Sequence, residues 1–347
     1  MNKKRRLRVA LVGDGERAER WAAALRRLAR VAPPPQELSE AVDALVIGPD
    51  APDPFAQAKE ALQAGVPVLY AAPFLLSPWQ ARSLHDLSSG QGPLLRFAEP
   101  FQHRPGFAFL RRLLEGKEPF WRSLYLRTLC LAPPDASNRI DALVTEELAS
   151  CEALLDSTPQ WITTVASRRD AGGEVCAAFL TVQYTDGPLV QCTVSMAETV
   201  RARQLVAVTP DRTVVLDEQD PVAPVRIVGS GEQDSCIPGA TPMPSWPSRA
   251  EGRPATVSLD PNAEEAKRFL LAVSLGDRSP ANGELWTRVA ALWWAARQSL
   301  SFGGPVEVST SAFPAGDTEP PPLTVIEGGG KPAAAAGRRP ALTVVSR

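Results

Sequence analysis

The chain has 347 residues, of which 44% are hydrophobic and 22% are charged, a composition typical of a globular protein. Its formal net charge of -2 indicates no basic surface for nucleic acid. No apolar run reaches the roughly 18 residues that a membrane helix needs, and the apolar stretch after basic residues 3–6 is too short for a signal peptide. We therefore expect a cytoplasmic, two-domain protein with no nucleic-acid or membrane partner.

Residues 1–97 alternate between short apolar strands and amphipathic helices. Strands are predicted at residues 8–12, 42–47 and 66–70, with one helix after the first strand and another at residues 56–64. Because strand and helix alternate with short links, this region predicts a parallel, doubly wound sheet.

Residues 98–309 have a different character and are rich in strand-forming residues. Helices are predicted at residues 107–114 and 140–155, and strands at residues 121–131, 161–167, 175–184, 189–196, 204–208, 213–216 and 225–228. Residues 230–255, rich in Gly, Pro and Ser, predict a long irregular loop. Two closing helices are predicted to begin at Pro261 and near Glu284. This second domain is therefore predicted to hold a large, mostly antiparallel sheet with helices on one face.

Residues 310–347 form a tail rich in Pro, Gly and Ala, a composition that predicts disorder. The tail contains two similar apolar segments, at residues 322–326 and 340–345. Such segments can add a strand to the sheet edge of a protein partner. The alternative is an unstructured tail with two apolar patches.

The residues that usually bind metals or move protons are scarce. Five cysteines lie far apart and form no CxxC pair, which favours reduced, buried thiols over a disulfide framework or a metal site. Only two histidines are present, His85 and His103, so imidazole chemistry is restricted to these positions. We predict no metal.

A glycine-rich turn follows the first predicted strand. The segment GDGERA at residues 13–18 has the spacing and context of the G-x-G-x-x-G/A dinucleotide fingerprint. Gly13 allows the tight turn, Gly15 lets the backbone approach a pyrophosphate, and Ala18 permits close helix packing. We predict cofactor binding by Gly13, Gly15, Arg17 and Ala18, with Arg17 offsetting the acidic neighbours of the loop. A plain strand-to-helix turn is the alternative.

The ribose-binding part of the fingerprint is missing. A dinucleotide fold normally has an acidic residue about 20 positions further on, at the end of the second strand. Residues 30–35 read RVAPPP, and the three prolines supply no carboxylate and cannot continue a strand ladder. The stretch from Ala18 to Val42 is also too short for the usual succession of helix, strand, helix and strand, so the first domain is predicted to be shortened.

The order of six segments resembles the Gfo/Idh/MocA family of NAD(P)-dependent sugar and polyol oxidoreductases. They are VALVGDGERA at 9–18, VDALVIG at 42–48, ALQAGVPVLYAAP at 61–73, FLTVQYTDG at 179–187, FLLAVSLGDRSP at 269–280 and ARQSLSFGGPVEV at 296–308. The resemblance covers residues 7–309. It implies an α/β fold with an N-terminal Rossmann-like parallel sheet and a C-terminal α+β domain, NAD(P) as cofactor, and a homo-oligomer formed through the C-terminal sheet.

The same resemblance locates the residues that should perform the chemistry. The family has Glu-Lys-Pro after the strand at residues 66–70, where this chain has AAP at 71–73. The family also has a His-x-x-Asp on the helix at 140–155, with the histidine moving the proton. Counted back from Pro159, Glu147 takes the histidine position and Ser150 the aspartate position. A buried glutamate can move a proton, but a surface helical glutamate is the favoured interpretation of Glu147.

His103 is the second candidate for acid–base chemistry because it precedes the entry to the second domain. With the family's lysine and histidine both absent, the leading hypothesis is a binding or scaffold pseudo-oxidoreductase that has lost hydride transfer. One alternative is a divergent NAD(P)-dependent oxidoreductase that acts on a sugar or polyol through Glu147 or His103. A sensor that binds a nucleotide or sugar without converting it is the third.

Overall fold

The computed structural model describes residues 6–32, 42–71, 76–114, 124–134, 140–155, 157–168, 175–185, 187–210, 212–220, 225–229, 260–278 and 282–309. Within these ranges the chain forms a sheet of five strands, a sheet of eight strands and seven α-helices. None of the helices in these ranges is long and apolar enough to cross a membrane.

The first sheet is parallel and contains the N-terminal strands. These are β1 (Arg8–Val12), β2 (Arg30–Ala32), β3 (Ala44–Ile47), β4 (Val68–Tyr70) and β5 (Leu95–Phe97). Their order in the sheet is β2-β1-β3-β4-β5. All four residues of β3 are buried, as expected of a central parallel strand that is covered on both faces.

Three helices connect these strands: α1 (Gly15–Arg26), α2 (Pro54–Gln63) and α3 (Pro78–Ser88). Local sequence explains where two of them begin. Asp53 caps α2 by accepting a hydrogen bond from the backbone N–H of Ala56 at 3.0 Å. A reciprocal capping box between Ser77 and Gln80 begins α3.

The second sheet is mostly antiparallel. Its strands are β6 (Tyr125–Leu131), β7 (Pro159–Arg168), β8 (Val175–Tyr184), β9 (Leu189–Ser195), β10 (Ala202–Val208), β11 (Arg212–Asp217), β12 (Val225–Gly229) and β13 (Val306–Glu307). They lie in the order β12-β11-β10-β6-β9-β8-β7-β13. Only the pairing of β6 with β9 is parallel within the described strands.

Four further helices complete the fold: α4 (Pro105–Leu114), α5 (Ile140–Glu152), α6 (Pro261–Leu275) and α7 (Gly283–Phe302). Helices α5 and α7 pack on the same face of the second sheet. Helix α6 returns to the first domain, where Phe269 and Leu270 share a core with Trp21 and Leu25 of α1. A short 3-10 helix, Pro100–His103, leads from β5 into α4.

The predicted elements are confirmed, with small shifts at their ends. The strand predicted at residues 175–184 is found with both ends unchanged, and the one predicted at 121–131 begins at Tyr125 within the described residues. Two strands of three residues each, β2 and β5, were not predicted because so short a run has no measurable period. The predicted loop at 230–255 and the tail at 310–347 lie outside the described residues.

Candidate functional site

A crevice of about 350 Å³ lies between the first sheet and helix α5. We call its first side the α1 wall, formed by Arg17, Arg20, Trp21, Pro49, Ala71 and Ala98. The opposite side is the α5 wall, formed by Ala142, Leu143, Thr145 and Glu146. Arg104 and Trp286 lie between the two walls. The α1 wall contains the residues that follow the carboxyl ends of β3, β4 and β5, the edge at which open parallel sheets bind ligands.

The glycine turn has the backbone geometry that its sequence predicted. Gly13 has a φ of +117° and Gly15 a φ of +85°, both in the region that favours glycine. The turn leads directly into α1, and Arg17 of its first turn lines the crevice. Ala18 is 2% exposed, in the close packing predicted for it. The four predicted cofactor residues thus share one strand-to-helix turn, and Arg17 among them lines the crevice, but their role as ligands stays a prediction.

The residues present fit the pyrophosphate of NAD(P) in backbone geometry. The N-terminus of α1 offers unpaired N–H groups and a partial positive charge to an anion. The negative charge of Asp50 opposes the binding of an anion. Its carboxylate lies so close to the turn that a Cβ built on Gly15 would be 3.1 Å from Oδ2 of Asp50. Asp50 is exposed, so this carboxylate can turn away from an arriving phosphate. The α1 wall therefore fits the cofactor's phosphates at the cost of some charge repulsion.

The α1 wall is apolar at the first of the three positions where the family has Glu-Lys-Pro. Ala71, which follows β4, lines the crevice. Ala72, at the position of the lysine, and Pro73 lie outside the described residues, as do the three prolines after β2. The first of the family's three positions therefore presents a methyl group to the crevice.

The interpretation of Glu147 as a surface glutamate was wrong. Its side chain is 3% exposed, and Oε1 lies 2.6 Å from a guanidinium nitrogen of Arg203. The reason is the rotation of α5, which directs Glu147 towards β10 of the second sheet and away from the crevice. Ser150, at the predicted aspartate position, is also buried and donates a hydrogen bond to the backbone carbonyl of Glu146 at 2.8 Å.

Glu146, not Glu147, presents a carboxylate to the crevice. Its side chain is 28% exposed, and its Oε1 accepts a hydrogen bond from Arg104 at 2.7 Å and contacts Arg203 at 3.1 Å. Arg104 also donates to both oxygens of Glu218, at 2.9 and 3.1 Å. Sequence reasoning missed Glu146 because adjacent helical residues differ by about 100° in direction, so an alignment by counting cannot decide between them.

The two arginines set the charges of these glutamates. Burial alone would raise the pKa of Glu146, but the guanidiniums of Arg203 and Arg104 outweigh it and lower that pKa below its ordinary value. Burial raises the pKa of Glu147 in spite of the opposing effect of Arg203. Glu146 is therefore the ionised carboxylate of the pair, and Glu147 is the one that retains a proton more readily.

His103 does not line the crevice. Its ring is 4% exposed, and Nε2 lies 2.7 Å from Oε2 of Glu265 on α6. Arg96 approaches the other oxygen of the same carboxylate at 3.8 Å. The histidine thus joins the 3-10 helix to α6, and the structure does not bring it together with Glu147 or the glycine turn.

Glu99 is a buried acid that the sequence reasoning did not single out. It lies between two crevice residues, Ala98 and Pro100, and is 6% exposed. Oε1 accepts a hydrogen bond from Nε1 of Trp286 at 3.0 Å. Burial raises the pKa of Glu99 to about 7, with Glu265 adding to the rise and hydrogen bonds to Asn282 and Trp286 opposing it. The carboxyl fixes the Trp286 ring beside the crevice.

Metal ligands are not assembled anywhere in the ranges that the structure covers: no group of three or more His, Cys, Asp or Glu residues there could hold an ion. The described cysteines are all free and buried: Cys130, Cys151, Cys176 and Cys192. The crevice therefore has to be understood through its arginines, glutamates and aromatic rings.

No protein-family model and no curated protein sequence matches the chain. Solved structures do resemble it. GenD2 from gentamicin A biosynthesis, in complex with NAD, has a TM-score of 0.69 and 19% identity, covering 89% of this chain and 98% of that chain. UDP-N-acetylglucosamine 3-dehydrogenase GnnA from Acidithiobacillus ferrooxidans has a TM-score of 0.66 and 19% identity, covering 85% of this chain and 97% of that chain.

Levoglucosan dehydrogenase, in complex with NADH and L-sorbose, has a TM-score of 0.68 and 14% identity, covering 88% of this chain and 99% of that chain. Identities this low establish a shared fold and no more. The predicted α/β fold is therefore confirmed: a parallel five-stranded sheet followed by a larger, mostly antiparallel sheet, in the arrangement of these solved structures.

Proposed function

We propose that this chain is a Gfo/Idh/MocA-type pseudo-oxidoreductase: a binding or scaffold protein that holds a nicotinamide dinucleotide at the α1 wall and does not transfer hydride. A shared fold by itself supports no activity, so the proposal rests on the crevice. One observation carries it. Glu147, at the position of the family's proton-transferring histidine, is 3% exposed and held by Arg203 at 2.6 Å, outside the crevice.

The α1 wall supports the binding half of the proposal. Gly15 and the N-terminus of α1 offer backbone N–H groups to a pyrophosphate, and Arg17 lies at the same end of the crevice. Two solved structures of the same fold, GenD2 and levoglucosan dehydrogenase, are complexes with NAD and NADH. A bound nicotinamide would supply a hydride acceptor or donor, and the chain's part would be to orient it against Ala71 and Leu143.

The α5 wall supports the loss of chemistry. Oxidation of an alcohol by hydride transfer needs a group that removes the hydroxyl proton, and loss of a general base typically costs about 10²–10⁴ in rate. Three of the four residues of this wall have side chains that cannot accept the hydroxyl proton: Ala142, Leu143 and Thr145. The Thr145 hydroxyl already donates a hydrogen bond to the backbone carbonyl of Asp141, at 2.6 Å.

A divergent oxidoreductase is the second candidate, and Glu146 favours it. This carboxylate faces the crevice and is kept ionised by Arg203 and Arg104, which is the state that a general base requires. The same two arginines lower its basicity, because they stabilise the charged form. In this candidate, Glu146 would accept the hydroxyl proton of a sugar or polyol.

Titration of the purified protein with NADH and NADPH, followed by nicotinamide fluorescence, tests the binding half. Micromolar binding is expected, and absence of binding at millimolar concentration would leave a scaffold without a cofactor. Reduction of NAD⁺ or NADP⁺ in the presence of a panel of sugars and polyols tests the chemistry. No turnover is expected with any of them.

Two neighbouring variants separate the candidates if turnover is seen. Glu146→Gln removes the carboxylate that faces the crevice, whereas Glu147→Gln removes the one held by Arg203. Activity that is lost about 10²-fold or more in the first variant only would establish the oxidoreductase and reject the proposal.

We also propose a second copy of this chain as a partner, bound at the open face of the eight-stranded sheet. Val165 and Phe179 lie opposite each other on β7 and β8 and are 62% and 47% exposed. Leu189 on β9 is 40% exposed on the same sheet. Large apolar side chains in this arrangement favour burial against another sheet. Light scattering after size exclusion measures the mass, and a strictly monomeric mass would reject this partner.

A further inference from the structure

The ionisable side chains that line the crevice are mostly basic. Among the described residues they are three arginines and one glutamate: Arg17, Arg20, Arg104 and Glu146. A cleft with an excess of one charge raises the local concentration of ligands of the opposite charge. The crevice therefore favours an anionic ligand over a cationic one.

Arg104 is already engaged by carboxylates. It donates to both oxygens of Glu218, at 2.9 and 3.1 Å, and to Oε1 of Glu146 at 2.7 Å. A ligand anion would have to displace one of these partly buried partners before it could pair with this guanidinium. The excess positive charge of the lining therefore lies on the α1 wall.

Arg20 is the guanidinium of that wall whose present contact is the easiest to exchange. Its Nη2 lies 2.6 Å from Oε1 of Glu16, which precedes it by one turn of the same helix. The two side chains are 63% and 66% exposed, and a solvated pair of this kind contributes little to stability. An anion bound in the crevice can therefore replace Glu16 as the partner of Arg20.

The position of Arg20 separates it from the glycine turn. Helix α1 begins at Gly15, so Arg20 lies about 7.5 Å further along the helix axis. The partial positive charge of a helix N-terminus acts mainly within the first turn. An anion paired with Arg20 is thus a different group from a pyrophosphate bound at the turn.

The rest of the lining suits a small polar ligand. Asn262, at the start of α6, lines the crevice, and its carboxamide makes no hydrogen bond within the described residues. Trp21 and Trp286 present largely buried indole rings. The volume of 350 Å³ lies at the lower end of the range of about 300–1,000 Å³ that is usual for ligand pockets. A few polar donors beside an apolar surface are what such pockets use to orient a ligand.

We infer that the crevice binds a small phosphorylated ligand, such as a sugar phosphate, with its phosphate between Arg20 of α1 and the carboxamide of Asn262 on α6. The planar guanidinium matches two phosphate oxygens, and its charge strengthens both hydrogen bonds. The carboxamide N–H groups donate to a third oxygen. The inference deepens the proposed function, on which it rests only for the crevice being a ligand site.

Three probes that share one ring and differ at one carbon test this recognition. D-Glucose carries a neutral hydroxyl there, D-glucuronate a carboxylate and D-glucose 6-phosphate a phosphate with about two negative charges. Binding of each is measured by calorimetry without a nicotinamide cofactor. We expect the phosphate to bind about tenfold more tightly than the neutral sugar, with the carboxylate between them. Equal binding of the phosphate and the neutral sugar, or glucuronate binding as tightly as the phosphate, would overturn the inference.

A matched pair of variants assigns the preference to its residue. Arg20→Met removes the guanidinium and is expected to abolish the preference for the phosphate over the neutral sugar. Arg26→Met removes an arginine of the same helix that is 61% exposed, contacts Glu19 at 3.7 Å and is not part of the crevice lining, so the preference should be unchanged. A preference that survives in Arg20→Met, or that is lost equally in both variants, would overturn the role of Arg20.

A repeat of the titration in saturating NADH separates this inference from the proposed function. We expect D-glucose 6-phosphate to bind as tightly with NADH as without it. Loss of its binding would mean that the phosphate occupies the pyrophosphate position, which would overturn the inference. Absence of NADH binding, together with a preserved preference for the phosphate, would refute the cofactor half of the proposed function and leave the inference in place. NADH binding without any preference for the phosphate would do the reverse.

Discussion

The two walls of the crevice are built in different ways. The α1 wall depends on backbone geometry, with Gly13 and Gly15 at positive φ and the N-terminus of a helix beside them. The α5 wall depends on side chains, with the carboxylate of Glu146 held by Arg104 and Arg203. The first wall has the backbone geometry on which the prediction of pyrophosphate binding rests. The second offers an ion-pair network at the place where proton transfer is expected.

This contrast shows why one wall could be recognised from sequence and the other could not. Glycines at fixed spacing after a strand predict a turn because few other residues adopt positive φ. An ion-pair network has no such local signature, since its members come from distant elements: Arg104 and Glu218, for example, are 114 residues apart. Three substitutions test this contrast: one in the ion-pair network, one between the two walls and one in the glycine turn.

Replacement of Arg203 by Met removes the guanidinium that Glu146 of the α5 wall shares with the buried Glu147. Glu147, which is 3% exposed, would lose the guanidinium that it contacts and has little solvent to compensate, whereas Glu146 would keep Arg104 at 2.7 Å. We expect the free energy of unfolding to fall by about 3–5 kcal/mol, measured by urea denaturation.

Arg82→Met is the matched control, because the pair of Arg82 with Asp86 is 58% and 62% exposed and should contribute less than about 1 kcal/mol. Adding Glu147→Gln to Arg203→Met should recover part of the loss, since one uncompensated charge is removed. Equal losses in Arg203→Met and the control would mean that the network does not stabilise the α5 wall.

Replacement of Glu99 by Gln acts between the walls, beside Trp286, and its effect depends on pH. The folded pKa of about 7 lies above the ordinary 4.5, so the wild type loses stability as the pH rises through this window. The variant has no carboxyl group at position 99, so its stability does not fall in this pH range. We expect it to be more stable than the wild type by about 3 kcal/mol near pH 8 and close to the wild type near pH 4.

Thermal or urea unfolding of both proteins across this pH range measures the difference. Glu19→Gln, on the exposed surface of α1, should show no such dependence on pH. A constant difference between Glu99→Gln and the wild type at every pH would contradict a raised pKa for Glu99.

Replacement of Gly15 by Ala tests the α1 wall, and Gly65→Ala is its matched control. The two glycines have φ values of +85° and +80°, but a Cβ on Gly65 would meet no atom within 4 Å, whereas one on Gly15 would approach Asp50 at 3.1 Å. Both variants should lose about 1–2 kcal/mol of stability from backbone strain. Only Gly15→Ala should also weaken NADH binding, by about tenfold, because the methyl group lies where a pyrophosphate would approach.

Fluorescence titration of the two variants separates strain from binding. An equal loss of NADH affinity in both would assign the effect to general destabilisation. Unchanged affinity in Gly15→Ala would mean that the glycine turn does not contact a cofactor in this protein.

Much of the fold was predictable from sequence because its signals are local. Each of these signals lies within a short stretch of sequence. They are the apolar runs of β1 and β3, the fingerprint at residues 13–18 and the alternation of β8. The three-residue strands β2 and β5 carry too little pattern, and the parallel sheet around them decides their pairing. Helix α6 was predicted, but not its return to α1, since either domain could bury its apolar face.

By itself, the sequence determined that the chain has two kinds of sheet, a turn with glycines at 13 and 15, and neither lysine nor histidine where the resemblance predicts them. The tertiary structure decided which glutamate faces the crevice, that Glu147 is buried on Arg203, and that His103 joins Glu265. The physical reason is the rotation of α5 and the packing of distant elements against it. A turn of about 100° per residue places neighbouring side chains in different environments, and only the assembled fold fixes that rotation.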